Sequence, residues 1–302
     1  MTVYKRRTRS SELGILTLLD ERKGLPASEK RYYYNLAKGY EGELAFDHLT
    51  EQLHCDCLIL NDLLLNVNHT SFQIDTLIVT LGKIYMYEVK NFDGDYYYEG
   101  DRLFKKPKYE VSNPLHQLVR SESLLRQLLL RNGFNFHIEA FIVFINSAFT
   151  LYQAPLNKPI IFPTQVNQHM KNLNGITTEL TARETKVADQ LLSLHNPNSP
   201  YKRIPTYDYH QLEKGMICTI CRSIATFIRH NKCICSKCNH IESTTDAVLR
   251  SVEEFKKLFP DKTITTNIIY DWCKIIPEKR TIRRILLKNF KIVGTGRGTS
   301  YK

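Results

Sequence analysis

The sequence predicts an α/β protein in which a mixed β-sheet flanked by helices is followed by two small C-terminal domains. Three observations support this fold class. Apolar runs of strand length recur between residues 57 and 162, and segments with helical spacing precede and follow them. Further on, four cysteines stand in two C-x₂-C pairs. A strongly basic segment with helical spacing comes last.

Length and composition restrict the class of protein. The chain has 302 residues, of which 42% are hydrophobic, which is enough for a sizeable core and room for two or three domains. It has no apolar run of about 18 residues, and no apolar segment of signal-peptide type follows the basic start. We therefore expect a soluble, cytoplasmic protein without a membrane partner.

The predicted elements follow one another in α/β order. Leucines at helical spacing indicate a lead-in helix within residues 8–38, and residues 40–53 form a second helix with Glu43 at its start. Residues 57–65 are predicted as the first strand of the sheet. The further strands are predicted at residues 74–80, 84–90, two short ones within 91–104, 140–145 and 160–162, and the further helices at 113–132 and 182–194.

The stretch of residues 71–90 carries charge where a buried hairpin should avoid it. Its two strands are rich in Ile, Val, Thr and Tyr, and they meet at a turn around Gly82. Asp75 lies in the first strand, and Glu88 and Lys90 end the second. Because side chains two apart share a strand face, Glu88 and Lys90 project together. Burying unpaired carboxylates is costly, so this pattern indicates a divalent cation or, as the alternative, a structural ion pair.

A helix beginning at Asn113-Pro114 follows the hairpin strands. Asn is a favoured cap and Pro fits the first helical turn. Gln117 and Arg120 lie in the first two turns, on a side that could face the carboxylates. The simpler interpretation of Gln117 is an exposed helix glutamine. The simpler interpretation of Glu43 is a carboxylate at the start of a helix.

Four motifs in order resemble those of the nuclease-related domain (NERD), a branch of the restriction-endonuclease-like PD-(D/E)xK superfamily. They cover residues 38–149 and consist of Gly39-Tyr40-Glu41-Gly42-Glu43, Gln73-Ile74-Asp75, Glu88-Val89-Lys90-Asn91 before Gly94, and Asn113-Pro114-x-x-Gln117. The resemblance implies Asp75 and Glu88 as ligands of Mg²⁺ or Mn²⁺, Lys90 as the catalytic lysine, and Glu43 and Gln117 as supporting residues. Ile74 stands where the wider superfamily has proline.

This assignment suits phosphodiester cleavage. A divalent cation on two carboxylates polarises a phosphoryl oxygen and lowers the pKa of bound water. Lys90 could position that water or hold a phosphate oxygen. Glu43 could add a ligand or orient the water, and Gln117 could bond the water or a phosphate.

Cysteine spacing indicates a metal site. Five of the eight cysteines lie between Cys218 and Cys238. Cys218, Cys221, Cys235 and Cys238 have the C-x₂-C…C-x₂-C spacing of a zinc ribbon, in which four thiolates hold a structural Zn²⁺. Cys233 is the spare cysteine, and His230 and His240 are alternative ligands. A disulfide or metal-free cluster is the other interpretation.

The last third holds the entire charge excess. Residues 202–302 contain 20 Lys and Arg against 9 Asp and Glu, a net +11, which equals the net charge of the whole chain. Residues 248–302 resemble a winged helix-turn-helix, with helices at 252–259, 266–273 and 277–290 and a glycine-rich wing at 291–301. The cations predicted to contact nucleic acid are Lys279, Arg280, Arg283, Arg284, Lys288 and, in the wing, Arg297. Simple solubility is the alternative explanation.

These observations predict five segments: a lead-in at 1–36, a NERD nuclease-like domain at 37–195, a linker at 196–212, a zinc ribbon at 213–245 and a winged-helix-like domain at 246–302. The predicted function is that of a metal-dependent nuclease on DNA, with RNA as another partner to consider and a homodimer suited to cutting both strands. A non-catalytic nucleic-acid-binding or regulatory protein with a retained nuclease fold is the alternative. A protein-interaction adaptor is a third.

Overall fold

The computed structural model describes residues 1–197 and 202–302, except for the side chain of Arg297. The chain divides into two compact units. Unit 1 consists of Met1–Thr8 and Asn35–Tyr201, and unit 2 of Arg9–Tyr34 and Lys202–Lys302. The five-segment division remains a prediction, and its linker at 196–212 includes residues 198–201, which lie outside the described residues.

A six-stranded mixed sheet forms the centre of unit 1. Its strands are β1 (Thr2–Lys5), β2 (Leu58–Val67), β3 (Thr70–Thr80), β4 (Lys83–Lys90), β8 (His137–Phe144) and β10 (Ile160–Ile161). Their order in the sheet is β1-β2-β3-β4-β8-β10. The central strands β2, β3 and β4 are antiparallel neighbours, whereas β1 is parallel to β2, β8 to β4 and β10 to β8. The mixed α/β fold class is confirmed.

Four helices cover the two faces of this sheet. They are α2 (Ala27–Thr50), α3 (Pro114–Arg131), α4 (Pro163–Asn174) and α5 (Ala182–Leu194). Leu118 and Leu125 of α3 and Val187 of α5 join the core on one face. On the other face the core includes Phe46 of α2 and Met170 of α4. We call these the α3 face and the α2 face.

Two predictions at the start of unit 1 are wrong. Residues 57–65 do not supply the first strand, because β1 precedes β2 and pairs with it at the sheet edge. A short basic strand is typical of an edge, where it discourages further pairing. The helix predicted at 40–53 begins instead at Ala27, so Glu43 lies in the interior of α2 rather than at a helix start.

A second sheet of unit 1 extends from the end of β4. Its strand order is β7-β6-β5-β9, and it contains the two short strands predicted within residues 91–104. The strands are β5 (Gly94–Glu99), β6 (Arg102–Lys105), β7 (Tyr109–Val111) and β9 (Phe149–Tyr152). Asn113 then caps α3, since its Oδ1 accepts a hydrogen bond of 3.0 Å from the Leu115 amide.

Unit 2 combines a small antiparallel sheet with helices. The sheet has the order β11-β12-β13, and a two-stranded hairpin, β14-β15, follows the last helix. The elements are α1 (Ser11–Lys23), β11 (Thr226–Arg229), β12 (Lys232–Cys235), β13 (Ile241–Ser243), α6 (Thr244–Leu258), α7 (Thr266–Cys273), α8 (Lys279–Asn289), β14 (Ile292–Val293) and β15 (Ser300–Tyr301). The segment that precedes the nuclease-like domain thus supplies a helix to this unit.

The helices of the described residues do not meet the requirements of a membrane span. The longest, α2, has 24 residues but includes several charged side chains. No helix in the described ranges is both long and apolar enough to cross a bilayer.

A buried arginine ties α1 into unit 2. The Arg22 guanidinium donates to Glu254 Oε2 at 2.7 Å and to the carbonyl oxygens of Glu213 and Gly215. Its carbon atom lies 3.9 Å from the centre of the Trp272 ring, and the side chain is fully buried. A charge removed from water in this way needs these partners, and it therefore fixes the position of α1.

We expect Arg22→Met to lower the free energy of unfolding of unit 2 by about 3 kcal/mol, because Glu254 would lose its shorter ion pair and keep only the one with Arg250 at 3.1 Å. Denaturant unfolding followed by fluorescence of Trp272, the single tryptophan, reports this unit. The control Lys256→Met removes an exposed pair with Glu253 and should cost less than about 1 kcal/mol. Equal losses in the two variants would contradict the role given to Arg22.

Candidate functional site

Glu88 and Lys90 lie on the α3 face of β4. Val89, between them, joins the core of the opposite face, as alternation along a strand requires. Lys90 Nζ donates to Glu88 Oε1 at 2.5 Å and to Gln117 Oε1 at 3.3 Å. The lysine thus connects the end of β4 to the first turns of α3.

Asp75 reaches the same edge of β4 from β3. The β3–β4 ladder runs from Thr80 paired with Lys83 to Thr76 paired with Tyr87, after which Asp75 stands opposite Glu88. The Asp75 Oδ2 accepts a hydrogen bond of 2.8 Å from the Val89 amide. The Asp75 carboxylate therefore replaces a backbone acceptor where the ladder ends. This places Asp75 close to Glu88 on the neighbouring strand.

Glu43 reaches the site because α2 approaches the end of β4 closely. A Cβ added to Gly42 would lie 2.5 Å from the Asn91 Cβ, a distance that real side chains do not tolerate. Asn91 Nδ2 also donates to the Lys38 carbonyl at 2.7 Å. The glycine before Glu43 is thus explained by packing, and this close contact sets Glu43 beside the hairpin.

Arg7 links the carboxylates, and sequence reasoning missed it. Its guanidinium bonds Glu43 Oε2 at 2.7 Å, Asp47 Oδ2 at 2.8 Å and the Asp75 carbonyl oxygen at 2.6 Å. The side chain is 2% exposed. In sequence Arg7 is one cation of a basic start, and only pairing of β1 with β2 brings it to the site.

Asp62 is a further carboxylate that sequence reasoning did not single out. It stands opposite Asp75 across β2 and β3 and has a positive φ of 55°. Its Oδ1 accepts from Gln73 Nε2 at 2.9 Å. An aspartate inside an apolar strand of leucines was the signal available in the sequence.

Burial sets the protonation of the site. Loss of hydration, reinforced by the charge of Asp75, raises the pKa of Glu43 to about 8 and that of Glu88 to about 7. Burial also raises the pKa of Asp75, although Lys90 and the Val89 amide oppose the shift. Burial alone would lower the pKa of Lys90, but the charges of Glu88 and Asp75 outweigh it and raise that pKa.

The donor chemistry fits a hard divalent cation. Asp75, Glu88 and Glu43 each have one carboxylate oxygen in the hydrogen bonds above and a second that makes none within the described residues. Carboxylate oxygens are the ligands that Mg²⁺ prefers in proteins. Among the described residues, the three carboxylates do not, however, gather their oxygens within 4.8 Å of one another. Lys90 pairs with Glu88, and Arg7 pairs with Glu43.

A polar cleft of about 460 Å³ begins at Gln117. It lies between the start of β3 and the first turns of α3, and His116 and Arg120 line it beside Ser71 and Gln73. Arg120 is exposed and has no ion pair or hydrogen bond among the described residues. The cleft therefore offers Arg120 as an uncommitted donor near Gln117, whose side chain contacts Lys90.

The four cysteines of the C-x₂-C pairs converge in unit 2. Their sulfur atoms all lie within 4.8 Å of one another, with Cys218 and Cys238 3.6 Å apart and Cys221 and Cys235 3.5 Å apart. Tetrahedral zinc with bonds of about 2.3 Å separates sulfurs by roughly 3.8 Å. Cys233 is buried and outside this group. The cluster could hold zinc, and β11–β13 supply the antiparallel sheet of a ribbon.

The basic residues of the C-terminal segment lie on one exposed side of α8. Ile282, Ile285 and Leu286 form the buried side of that helix. The exposed cations are Lys279, Arg280, Arg283, Arg284 and Lys288. None of these five has an ion-pair partner in the described ranges. The side chain of Arg297, the sixth predicted contact, lies outside the described residues.

Comparison with known proteins gives a family match within unit 1. Residues 38–145 match the family model described as "Nuclease-related domain". A solved structure, that of protein VC1899 from Vibrio cholerae, matches with 11% identity and a TM-score of 0.25. The match covers 50% of this chain and 36% of that one. No curated protein is similar enough to count as a relative. By the family match alone, residues 38–145 of this chain are a nuclease-related domain.

Proposed function

We propose that this domain hydrolyses phosphodiester bonds of DNA with a divalent cation, Mg²⁺ or Mn²⁺, held by Asp75 and Glu88. The observation that supports it is the convergence of Asp75, Glu88, Lys90 and Gln117 at the end of β4. A bound cation would supply polarisation of the phosphoryl group and a water of lowered pKa.

The surrounding side chains suit the handling of a phosphodiester. The Lys90 ammonium carries positive charge at the mouth of the site and can donate to a phosphate oxygen. The Gln117 amide nitrogen, whose oxygen accepts from Lys90, is a further donor. Arg120 in the adjoining cleft can bind the next phosphate along the strand. Glu43, held by Arg7, would orient water or add a carboxylate ligand.

Unit 2 would hold the nucleic acid. Zinc on the four thiolates would be structural, since four cysteines leave no open position. The three helices α6, α7 and α8 with the β14–β15 hairpin would act as a winged helix, with the cations of α8 against DNA phosphates. RNA offers the same phosphate chemistry.

A second candidate function is binding without cleavage. The observation that favours it is the pairing of the buried carboxylates with Lys90 and Arg7, which satisfies them without a metal ion. The domain would then be a scaffold for nucleic-acid binding or regulation. Tight binding of DNA together with no cutting in Mg²⁺ or Mn²⁺ would select this candidate.

Asp75→Asn and Glu88→Gln should each lower the rate of DNA cleavage at least about 100-fold, because each removes a charged cation ligand at unchanged volume. Supercoiled, linear and single-stranded DNA would be incubated with the full chain in Mg²⁺ or Mn²⁺ and followed on gels. Glu139→Gln is the matched control, since Glu139 lies in the same sheet and pairs with Lys83 outside the site. Wild-type rates in both site variants would refute the proposed cleavage.

Affinity for Mn²⁺ should rise with pH. Below pH 7 Glu88 binds a proton, and below pH 8 Glu43 does, so the cation must displace protons at pH 6 but not above pH 8. We expect the dissociation constant for Mn²⁺ to fall at least about tenfold between pH 6 and pH 8, as measured by calorimetry on zinc-loaded protein. In Glu88→Gln the affinity should be weaker and its dependence on pH shallower. An affinity independent of pH in the wild type would contradict binding at these carboxylates.

Cys235→Ser should strongly weaken zinc binding, because three thiolates hold the ion far more weakly than four. Metal analysis of purified protein would then find about one zinc per wild-type chain and much less in the variant. Cys233→Ala is the control and should retain zinc, since Cys233 is buried outside the sulfur cluster. Loss of zinc in Cys233→Ala alone would assign the ligand to the spare cysteine instead.

A further inference from the structure

One face of the β11–β13 sheet presents an apolar row to solvent. Phe227, Ile234 and Ile241 are direct partners across the three strands. Phe227 is 45% exposed and Ile241 51% exposed. The opposite face carries the buried side chains, including Cys233. The row is therefore not needed for the core of this small sheet.

The same face carries positive charge without a carboxylate. Arg229 and Lys232 are partners at the hairpin end of β11 and β12, and both are exposed. Neither forms an ion pair among the described residues. The sheet's one carboxylate, Glu242, lies on the other face, where it pairs with Arg250 at 2.5 Å. We call Phe227, Arg229, Lys232, Ile234 and Ile241 the ribbon face.

We propose that the ribbon face binds single-stranded nucleic acid, with a base stacked on Phe227 and phosphates on Arg229 and Lys232. This proposal rests on the proposed function, which names nucleic acid as the partner. It adds that the nucleic acid bound by this face is single-stranded. An exposed aromatic ring beside cations is a platform on which unpaired bases stack irrespective of sequence. Bases within a duplex are stacked on each other and cannot reach such a surface.

Charge argues against a second copy of this chain as the occupant. Pairing two ribbon faces through their apolar rows would bring Arg229 and Lys232 of both copies together with no acid on either face. Like charges facing each other across an interface disfavour association. A single strand of nucleic acid can place its phosphates against the two cations and its bases against the apolar row.

The test measures binding separately from cleavage. Anisotropy of labelled oligothymidine, oligouridine and a blunt hairpin duplex is recorded with zinc-loaded full chain and no added Mg²⁺ or Mn²⁺. Phe227→Leu keeps an apolar side chain but removes the ring, so single-strand affinity should fall roughly 5- to 150-fold while duplex affinity changes little. Phe227→Trp keeps an aromatic ring and should retain the single-strand affinity. Comparing the two oligonucleotides distinguishes DNA from RNA as the strand.

Two further variants make the result decisive. Arg229→Ala and Lys232→Ala should each reduce the slope of log affinity against log salt by about 0.7 for single strands. Tyr109→Leu is the matched control, because Tyr109 is 68% exposed but lies in unit 1, and it should bind as wild type. If Phe227→Leu loses zinc, the two surface cations alone decide the test.

Three outcomes would overturn the proposal. One is wild-type single-strand affinity in Phe227→Leu that retains zinc. Another is an equal loss for single strands and duplex. The third is a change of oligomeric state in sedimentation with DNA binding intact, which would assign the row to a protein interface. Cleavage is scored afterwards on adding Mg²⁺, so a chain that binds single strands through Phe227 without cutting refutes only the nuclease activity.

Discussion

Carboxylates buried at the end of an apolar hairpin are the constraint on which unit 1 depends. Asp75 and Glu88 are both buried, and Glu43 lies beside them. Such charges cannot be left without partners in a low dielectric. Lys90 compensates them from within the hairpin, and Arg7 from the first residues of the chain. Burial, reinforced by the charge of Asp75, raises the pKa values of Glu43 and Glu88.

The first residues of the chain serve both units through one buried arginine each. Arg7 bonds Glu43 and Asp47 in unit 1, whereas Arg22 bonds Glu254 in unit 2. In both cases the arginine offers several donors at fixed angles, which suits it to hold separate chain segments together. A segment that looks like a simple lead-in is therefore structural in both units.

Unit 2 separates its surfaces by chemistry. The thiol cluster includes Cys235 at the end of β12, and Phe227 on the ribbon face is exposed to solvent. The cations of α8 lie on the exposed side of a different element. Stacking on an unpaired base and attraction to a phosphate backbone are different interactions, so under the proposed function the two surfaces would bind single strands and duplex differently.

The sequence by itself determined the mixed α/β class, the 182–194 helix, the β3–β4 hairpin and the C-x₂-C thiol group. These follow from local rules, namely apolar periodicity, turn glycines, caps and ligand spacing. It also placed Glu88 and Lys90 on one strand face, because alternation over two residues needs no tertiary information.

Only the tertiary structure decided which distant residues meet these groups. Arg7 and Asp62 reach the site through strand pairing, and Glu43 does so because Gly42 packs against Asn91. The same holds for α1, whose partners in unit 2 lie about 190 to 250 residues further along the chain. Contacts between segments so far apart depend on register and close packing of the whole fold, and local periodicity does not record them.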